Sequence, residues 1–373
     1  MTLAARLPEY PWDELAPIAE KAGAFPGGAV DLSVGTPVDP VPTVIQDALV
    51  AAANSPGYPL TAGTPELRAA AAGWLARSLD VHVDPVCVLP VIGTKEFIAW
   101  LPTMLGLGAG DTVIYPSLAY PTYDIGARLC GASSASVDDQ SDEALAAVPS
   151  SARLRWLNSP SNPTGRVLPR AALRDAVAWA RSRGAILACD ECYIELGWNV
   201  TPGSVLHESV RGESLDGLLA VFSLSKRSNL AGYRAGFVTG DPRLMKDLLL
   251  VSRQAGMIVP GPVQAAMIAA LSDDAHAIEQ KARYAARRTI LVEGLTAAGF
   301  RIEHSEAGLY LWASRPGLDC WAGCELLATE CGILAGPGSI YGPEGNAYIR
   351  VALTATDERV AAAGERLRAF AAR

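Results

Sequence analysis

Short runs rich in Val, Ile and Leu alternate with longer segments of helical period along most of this chain, and this alternation restricts the fold more than any other feature of the sequence. The apolar runs that have the length of buried strands are residues 86–91, 112–116, 154–158, 185–190, 218–223 and 235–240. Helical stretches lie between them, for example 65–79, 94–105, 169–183 and 241–255, and several begin with Thr, Asp or Pro. Strands that alternate with helices predict an α/β domain whose mostly parallel sheet is covered by helices.

The pattern changes after residue 260. A long Ala- and Arg-rich helical segment, residues 261–297, leads to predicted strands at 310–314 and 347–353 and then to a closing helix. A chain of 373 residues is also long for one compact core. We therefore predict a large domain over residues 42–260 and a smaller α+β domain built from 1–41 and 261–373, with an active site at their interface.

Composition excludes several classes of protein. The formal net charge of −8 provides no basic surface for nucleic acid, so no nucleic-acid partner is expected. The start of the chain has no secretory pattern and no run of roughly 18 apolar residues occurs, so we expect no membrane partner and a cytoplasmic location. The seven cysteines are expected to be reduced. Cys189 and Cys192 form a C-x-x-C, but no second pair of ligands stands at zinc spacing, so no metal is expected.

The segment SLSKRSNLAGYRAGF, residues 223–237, carries the most chemical information. It places Lys226 in a serine-rich turn after a predicted strand, and Arg234 follows eight residues later. A lysine in this setting can bind an aldehyde cofactor covalently while hydroxyl groups and an arginine bind the phosphate of that cofactor. Either residue alone would more simply be part of a surface loop.

A second segment, ACDECYIEL, places Asp190 at the carboxyl end of a predicted strand, 36 residues before Lys226. With the Lys226 segment it makes the chain resemble the fold-type I pyridoxal-phosphate enzymes, and the class I and II aminotransferases in particular. The resemblance implies an aspartate-aminotransferase-like fold, with Lys226 as the lysine that carries pyridoxal phosphate. It implies that Ser223, Ser225 and Arg234 bind the phosphate. It also implies that Asp190 pairs with the pyridine nitrogen and that Tyr193 donates to the phenolic oxygen.

Further motifs follow in the order that the aminotransferases have. By resemblance, Asn162 of NSPSNPTG contacts the phenolic oxygen, and Tyr120 rather than Tyr123 places its ring over the pyridine. The segment IGTKE adds Gly93, Thr94 and Lys95, whose backbone at a helix N-terminus suits a phosphate.

Three more motifs concern the substrate and the subunit partner. Tyr58 of YPLTAGTPELR resembles the tyrosine that reaches the phosphate site of a neighbouring subunit, which implies a homodimer with shared active sites. Gly35 of LSVGTP resembles the glycine beside the substrate carboxylate, although Thr36 stands where many relatives have an acidic residue. Arg350 of AYIRVAL resembles the arginine that binds the substrate α-carboxylate. A surface arginine on an edge strand is the alternative.

Rival functions explain the motifs less well. The segment GLGAGD, residues 106–111, is similar to a dinucleotide fingerprint, but Asp111 occupies the third glycine position and a strand follows instead of a helix. A non-enzymatic ligand sensor would be expected to carry a DNA-binding module, for which roughly 30 N-terminal residues leave no room. Another pyridoxal-phosphate reaction, such as that of a lyase, shares the cofactor motifs and stays open.

The substrate prediction rests on resemblance alone. The run KRSNLAGYRAGF is most similar to N-succinyldiaminopimelate aminotransferases of lysine biosynthesis. This implies ping-pong transfer of an amino group from glutamate to N-succinyl-2-amino-6-oxopimelate, with Lys226 moving the α-proton. The alternative is a general aspartate or alanine aminotransferase. Small amino acids and keto acids are the expected partners in either case.

Overall fold

The computed structural model describes residues 2–138 and 141–373. The helices are α1 (Ala16–Gly23), α2 (Thr43–Ala51), α3 (Pro65–Leu79), α4 (Thr94–Met104), α5 (Thr122–Cys130), α6 (Asp142–Ala146), α7 (Arg170–Arg183), α8 (Glu208–Arg211), α9 (Leu224–Arg227), α10 (Pro242–Ala255), α11 (Gly261–Ser272), α12 (Ala275–Ala297), α13 (Cys320–Cys331) and α14 (Asp357–Ala371). The strands are β1 (Val30–Asp31), β2 (Val88–Ile92), β3 (Thr112–Pro116), β4 (Ser133–Val137), β5 (Ala152–Asn158), β6 (Ile186–Asp190), β7 (Leu218–Ser223), β8 (Ala235–Gly240), β9 (Arg301–Glu303), β10 (Tyr310–Ser314), β11 (Ile333–Leu334), β12 (Gly336–Pro337) and β13 (Tyr348–Ala352). Short 3-10 turns include Leu3–Arg6 and Pro11–Leu15 near the N-terminus.

A seven-stranded sheet in the order β2-β8-β7-β6-β5-β3-β4 organises the large part of the molecule. Its strands run parallel except β8, which is antiparallel to both of its neighbours. Side chains of alternating residues enter opposite cores, as Trp156 and Leu157 of β5 do. Helices α2, α3, α7 and α11 cover one face, and α4, α5 and α10 cover the other. The predicted α/β fold with a mostly parallel sheet is confirmed.

The predicted boundaries match closely where the apolar runs are unmixed. Strands β3, β7, β8 and β10 and helix α3 begin and end at the predicted residues. Strand β2 begins at Val88 rather than at 86, because Pro85–Cys87 form a 3-10 turn. The single helical segment expected over 261–297 is wrong. The segment forms two helices, because the backbone of Asp273 is extended and ends α11. The Asp273 carboxylate then accepts hydrogen bonds from the first amides of α12.

A smaller antiparallel sheet, in the order β12-β13-β10-β9, forms a second core with α1, α12, α13 and α14. Strands β1 and β11 add a short parallel pair, which joins the N-terminal segment to this part of the molecule. Helix α11, although it follows residue 260, buries Ala266 and Met267 in the core of the large sheet. The domain boundaries stay a prediction, and α11 packs on the large-domain side. No helix in the described part of the chain is long and apolar enough to span a membrane.

Candidate active site

A cavity of about 1080 Å³ lies where the carboxyl ends of β5, β6 and β7 face the smaller sheet. This edge of a parallel sheet is the usual place for a ligand in α/β proteins. Among the residues that line the cavity are these predicted site residues: Gly35, Thr94, Lys95, Tyr120, Asn162, Asp190, Tyr193, Ser223, Ser225, Lys226, Arg234 and Arg350. Gly93 lies directly beside it. The structure therefore brings together residues that are separated by more than 300 positions in the chain.

Lys226 lies in the short helix α9, which begins immediately after strand β7. The hydroxyl of Ser223 accepts a hydrogen bond from the Ser225 amide at 3.2 Å and caps this helix. The Lys226 Nζ atom donates to the carbonyl oxygen of Gly35. The neighbouring Arg227 is buried and pairs with Glu195 instead. Lys226 is thus the cation of this turn that faces the cavity.

Asp190 is a buried carboxylate at the end of β6. It accepts hydrogen bonds from the Tyr123 hydroxyl at 2.9 Å and from the Cys192 amide at 3.1 Å. Burial raises the pKa of Asp190 above its ordinary value, and the hydrogen bonds from Cys192 and Tyr123 offset only part of this increase. The ion pairs of the described residues include none with Asp190. A buried carboxylate of this kind is suited to a positively charged ligand atom.

The start of helix α4 and Arg234 form a cradle for an anion. Gly93 precedes α4 with a φ of +73°, and a Cβ atom there would lie 2.2 Å from the nearest guanidinium nitrogen of Arg234. Only glycine therefore allows the guanidinium to lie beside the first amides of this helix. Arg234 itself has a left-handed backbone with a φ of +56°, and its Nη1 atom donates to the Ala231 carbonyl at 2.9 Å.

Arg350 is buried on β13, an interior strand of the smaller sheet, so the alternative of a surface arginine on an edge strand is wrong. Its Nη1 atom donates to the Asn162 Oδ1 atom at 2.9 Å, and its Nη2 atom donates to the Ser33 carbonyl at 2.7 Å. Its Nε atom is buried without a hydrogen-bond partner in the described part of the chain. The guanidinium is positively charged, and its partners among residues 2–138 and 141–373 are neutral, so a carboxylate ligand could supply the opposite charge.

Three predicted tyrosines have different positions. The Tyr193 hydroxyl lies 3.2 Å from the Tyr310 hydroxyl. Tyr120 is half-buried on the cavity wall, with its ring edge-on to Tyr123 at a centroid distance of 6.1 Å. Tyr58 is 99% exposed and does not line the cavity of its own chain.

Sequence reasoning missed several residues in or behind the wall of the cavity. Tyr123 contacts Asp190 directly, although only Tyr120 was expected to matter. Tyr310 and Tyr341 flank Arg350, and Tyr10 and Trp12 bring the N-terminal segment over the cavity. The spacing YPTY offered a signal for Tyr123, because it places a second ring on the buried face of α5. No local signal marks the others, since their contacts depend on long-range packing.

The two cysteines of the C-x-x-C have separate surroundings. Cys189 is buried on β6, and the Cys192 sulfur lies 3.4 Å from the Thr94 Oγ1 atom, beside the cavity. Neither is bonded to the other.

Comparisons with known proteins now bear on this site. The profile of the family "Aminotransferase class I and II" matches residues 28–367. This chain belongs to that family. The aminotransferase is 58% identical to 4-dedimethylamino-4-oxo-anhydrotetracycline transaminase OxyQ of Streptomyces rimosus, over 97% of this chain and 99% of the relative.

More distant relatives of the aminotransferase include the LL-diaminopimelate aminotransferase of Syntrophobacter fumaroxidans. That protein is 33% identical over 97% of this chain and 96% of its own length. A solved structure described as a probable N-succinyldiaminopimelate aminotransferase of Thermus thermophilus superimposes with a TM-score of 0.86 at 28% identity. It covers 97% of this chain and 100% of the other. The aspartate-aminotransferase-like fold is thereby confirmed.

Enzymes of this family and fold depend on pyridoxal phosphate, and so does this aminotransferase. The residues of the cavity fit the cofactor. An amine, a buried carboxylate without a cationic partner and an anion cradle all face one space, as a cofactor with an aldehyde, a basic ring nitrogen and a phosphate requires.

Proposed function

We propose that the protein transfers the amino group of glutamate to N-succinyl-2-amino-6-oxopimelate, in the biosynthesis of diaminopimelate and lysine, by a ping-pong mechanism. The observation that carries this proposal is the buried Arg350, which lines the same cavity as Lys226 and has no acidic partner among the described residues. Both substrates of such a reaction present an α-carboxylate, which a planar guanidinium binds through paired hydrogen bonds. Arg350 is the proposed ligand of that carboxylate, with Gly35 beside it.

The proposed cofactor contacts are those that the resemblance to the family implies. Ser223, Ser225 and Arg234, with the start of α4 at Gly93, Thr94 and Lys95, would hold the phosphate. Asp190 would pair with the ring nitrogen, Tyr120 would pack on the ring, and Asn162 and Tyr193 would donate to or orient the phenolic oxygen. When bound, pyridoxal phosphate supplies a ring that takes up the electrons left on the substrate after its α-proton is removed.

Lys226 has two proposed tasks. Its Nζ atom would hold the cofactor, and as a free amine the same atom would take the proton from the substrate Cα and later deliver it. The Gly35 carbonyl, which accepts a hydrogen bond from Nζ, can hold the released amine near the substrate. Gly35 lies between Lys226 and Arg350. Its carbonyl accepts the hydrogen bond of Lys226, and its Cα faces Tyr310, whose ring packs on Arg350.

A long acceptor needs a binding group for its far carboxylate. Lys95 is exposed on the cavity wall, and its Nζ atom lies 5.8 Å from the centre of the Tyr10 ring in the N-terminal segment. Its ammonium group is a candidate to bind the carboxylate of the succinyl group. The similarity to relatives that act on diaminopimelate supports an acceptor of this kind.

One observation favours a second candidate, a large polycyclic ketone. The outer wall of the cavity carries the rings of Tyr10, Trp12 and Trp321, which suit a flat aromatic ligand. The relative at 58% identity is described as a transaminase of 4-dedimethylamino-4-oxo-anhydrotetracycline. A general aspartate or alanine aminotransferase is a third candidate. Its small substrates do not need a cavity of this size.

The acceptor can be identified by loading the enzyme with amino groups from glutamate and comparing acceptors in the second half-reaction. N-succinyl-2-amino-6-oxopimelate is expected to have the highest kcat/KM, and Lys95→Met is expected to lower that value while it leaves pyruvate unaffected. A preference for oxaloacetate or pyruvate would contradict the proposal in favour of a general enzyme. A preference for the polycyclic ketone would contradict it in favour of the second candidate.

We also propose that the active form is a homodimer in the cytoplasm. Tyr58 is exposed in the single chain, and the apolar residues Val50 and Leu60 near it in sequence are exposed as well. Exposed apolar side chains of this kind are common at subunit interfaces. The expected role of Tyr58 in the partner's phosphate site accounts for its absence from the cavity of its own chain.

A further inference from the structure

Tyr310 lines the cavity, and the proposed reaction gives it no task. It is buried at the start of β10, and its diagonal neighbour across the antiparallel pair with β13 is Arg350. Trp312 stands directly opposite Arg350, and alternation along β10 places Tyr310 on the same face of the sheet. The strand register therefore brings the tyrosine ring to the guanidinium.

Two aromatic rings lie against the Arg350 guanidinium. Its Cζ atom lies 3.9 Å from the centroid of the Tyr310 ring and 4.8 Å from that of the Tyr341 ring. Its hydrogen bonds to Asn162 and Ser33 are made by the two terminal nitrogens. A guanidinium that packs on a ring and donates through both terminal nitrogens can rotate little about its last bonds, so its plane is fixed before any carboxylate arrives.

The hydroxyl of Tyr310 ties the same ring to the lysine end of the site. It lies 3.2 Å from the Tyr193 hydroxyl, and a Cβ atom at position 35 would approach it to 2.1 Å. Gly35 in turn accepts the hydrogen bond of Lys226. Burial raises the pKa of Tyr310, but the nearby charges of Arg350 and Lys226 outweigh this effect, so the pKa is lower than that of an ordinary tyrosine.

We propose that Tyr310 is a positioning residue for carboxylate recognition: its ring holds the Arg350 guanidinium in the plane that a substrate carboxylate requires. The inference rests on the proposed role of Arg350 as the carboxylate ligand. The contribution comes from the ring, and the hydroxyl only orients that ring through Tyr193 and the space left by Gly35. Glycine at position 35 is thus needed because any side chain there would displace Tyr310.

The test is the affinity of the holoenzyme for glutarate, a dicarboxylate that cannot react because it has no amino group, measured by calorimetric titration. Tyr310→Leu and Tyr310→Met remove the ring and are expected to weaken glutarate binding by roughly 3- to 30-fold, the range of a desolvated contact between a cation and a ring. Tyr310→Phe keeps the ring and is expected to restore the affinity to within about 2-fold of wild type. Two ring-deleting variants are used so that one that fails to fold does not decide the outcome.

Tyr348→Leu is the matched control. It removes a tyrosine from the same sheet that stacks on Trp312 at 5.0 Å and donates to Glu303, and among the described residues the rings packed on the Arg350 guanidinium are those of Tyr310 and Tyr341 instead. Its glutarate affinity is expected to stay unchanged. Arg350→Lys calibrates the site. If it leaves glutarate binding unaltered, the proposed carboxylate site fails and the role of Tyr310 fails with it. If Arg350→Lys weakens binding while Tyr310→Leu and Tyr310→Met do not, or if Tyr310→Phe is as weak as they are, only the role of the ring is overturned.

Discussion

At the scale of single residues, the site depends on charged groups that the fold buries without a charged partner. Within the described residues, Asp190 accepts hydrogen bonds from Tyr123 and Cys192, and the acceptors for Arg350 are neutral. Burying an isolated charge is costly, so such groups persist where a ligand supplies the opposite charge. In the proposed function, the ring nitrogen of the cofactor would supply the positive charge beside Asp190, and the substrate carboxylate would supply the negative charge beside Arg350.

The charge of Asp190 is expected to matter more than its shape. Asp190→Asn keeps the size of the side chain but cannot hold a proton on the ring nitrogen, so the variant is expected to bind the cofactor and to turn over at least roughly 100-fold more slowly. Cofactor content by absorbance and kcat with glutamate check this. Near-normal turnover would show that the carboxylate has only a structural role.

Glu191, the next residue, leads to a prediction about stability. Burial raises the pKa of this carboxyl group to about 8, and its Oε1 atom accepts a hydrogen bond from the Val205 amide at 2.7 Å. The folded state therefore keeps a proton that the unfolded state releases near its ordinary pKa of 4.5. This contribution to stability is full below pH 4.5 and is lost as the pH rises towards 8.

Glu191→Gln should consequently reduce the fall in Tm between about pH 5 and pH 8, because glutamine keeps the acceptor and cannot ionise. Thermal unfolding of the apoenzyme at several pH values measures the effect, and Glu358→Gln on the exposed start of α14 is the control. An equal fall in Tm for wild type and Glu191→Gln would mean that the carboxyl group is already ionised in the folded protein.

At the scale of elements, a buried ionic network joins the segment before α2 to α12 and α14. Asp39 pairs with Arg287 at 2.6 Å and with Arg283 at 3.2 Å, and Arg287 also pairs with Asp357 at 2.6 Å. The side chains of Asp39 and Arg287 are only 7% and 2% exposed. Burial raises the pKa of Asp39, but hydrogen bonds from Arg287 and Gln280 outweigh this and lower it. The network ties the segment before α2 to the two helices that pack on the smaller sheet.

Removing the charge of Asp39 should therefore destabilise the protein. Asp39→Asn leaves Arg287 buried with one acidic partner fewer, and breaking a buried pair in this way costs about 3–5 kcal/mol. Urea unfolding measures the loss. Asp216→Asn breaks the exposed pair with Arg243 and is expected to cost less than about 1 kcal/mol. Equal losses for the two variants would contradict the importance assigned to burial.

The sequence is informative about elements where local pattern decides the structure. The apolar runs of β3, β7 and β8 predict these strands to the residue, because both faces of an interior strand of this sheet are buried. Strand β4, with the sequence SSASV at the edge of the sheet, has no such run and could not be predicted. The two-residue strands β1 and β11 exist only because Val30 pairs with Ile333, which is a contact across the whole chain.

The same distinction applies to the site. Motif order predicts Lys226, Asp190 and Asn162 at strand ends and turns and Arg350 within a strand, and the structure brings all four to one cavity. Tyr310 could not be found in this way, since its importance arises from the register between β10 and β13.

At the scale of the whole molecule, the proposed homodimer makes a prediction about shared sites. If Tyr58 completes the phosphate site of the partner, then Tyr58→Phe and Lys226→Ala chains, each weak or inactive alone, should complement each other. In a mixed dimer one site has Lys226 from the first chain and an intact Tyr58 from the second, while the other site carries both defects.

Subunit exchange followed by isolation of mixed dimers should therefore restore activity towards that of one wild-type site per dimer. Dimers of two Lys226→Ala chains, carried through the same exchange, provide the control. If verified mixed dimers stay inactive although Tyr58→Phe alone is impaired, Tyr58 acts within its own subunit and the shared-site geometry is wrong.

Lys226 is proposed as the lysine that binds pyridoxal phosphate, and mapping the attachment site tests this role. The chain has five lysines, Lys21, Lys95, Lys226, Lys246 and Lys281, so reduction of the holoenzyme with borohydride followed by peptide mass spectrometry can distinguish them. We expect the cofactor mass on Lys226 in the wild type and in Lys95→Arg, and on no lysine in Lys226→Ala, which should also lack turnover. Stoichiometric label on Lys95 or another lysine, or turnover retained by Lys226→Ala, would contradict it.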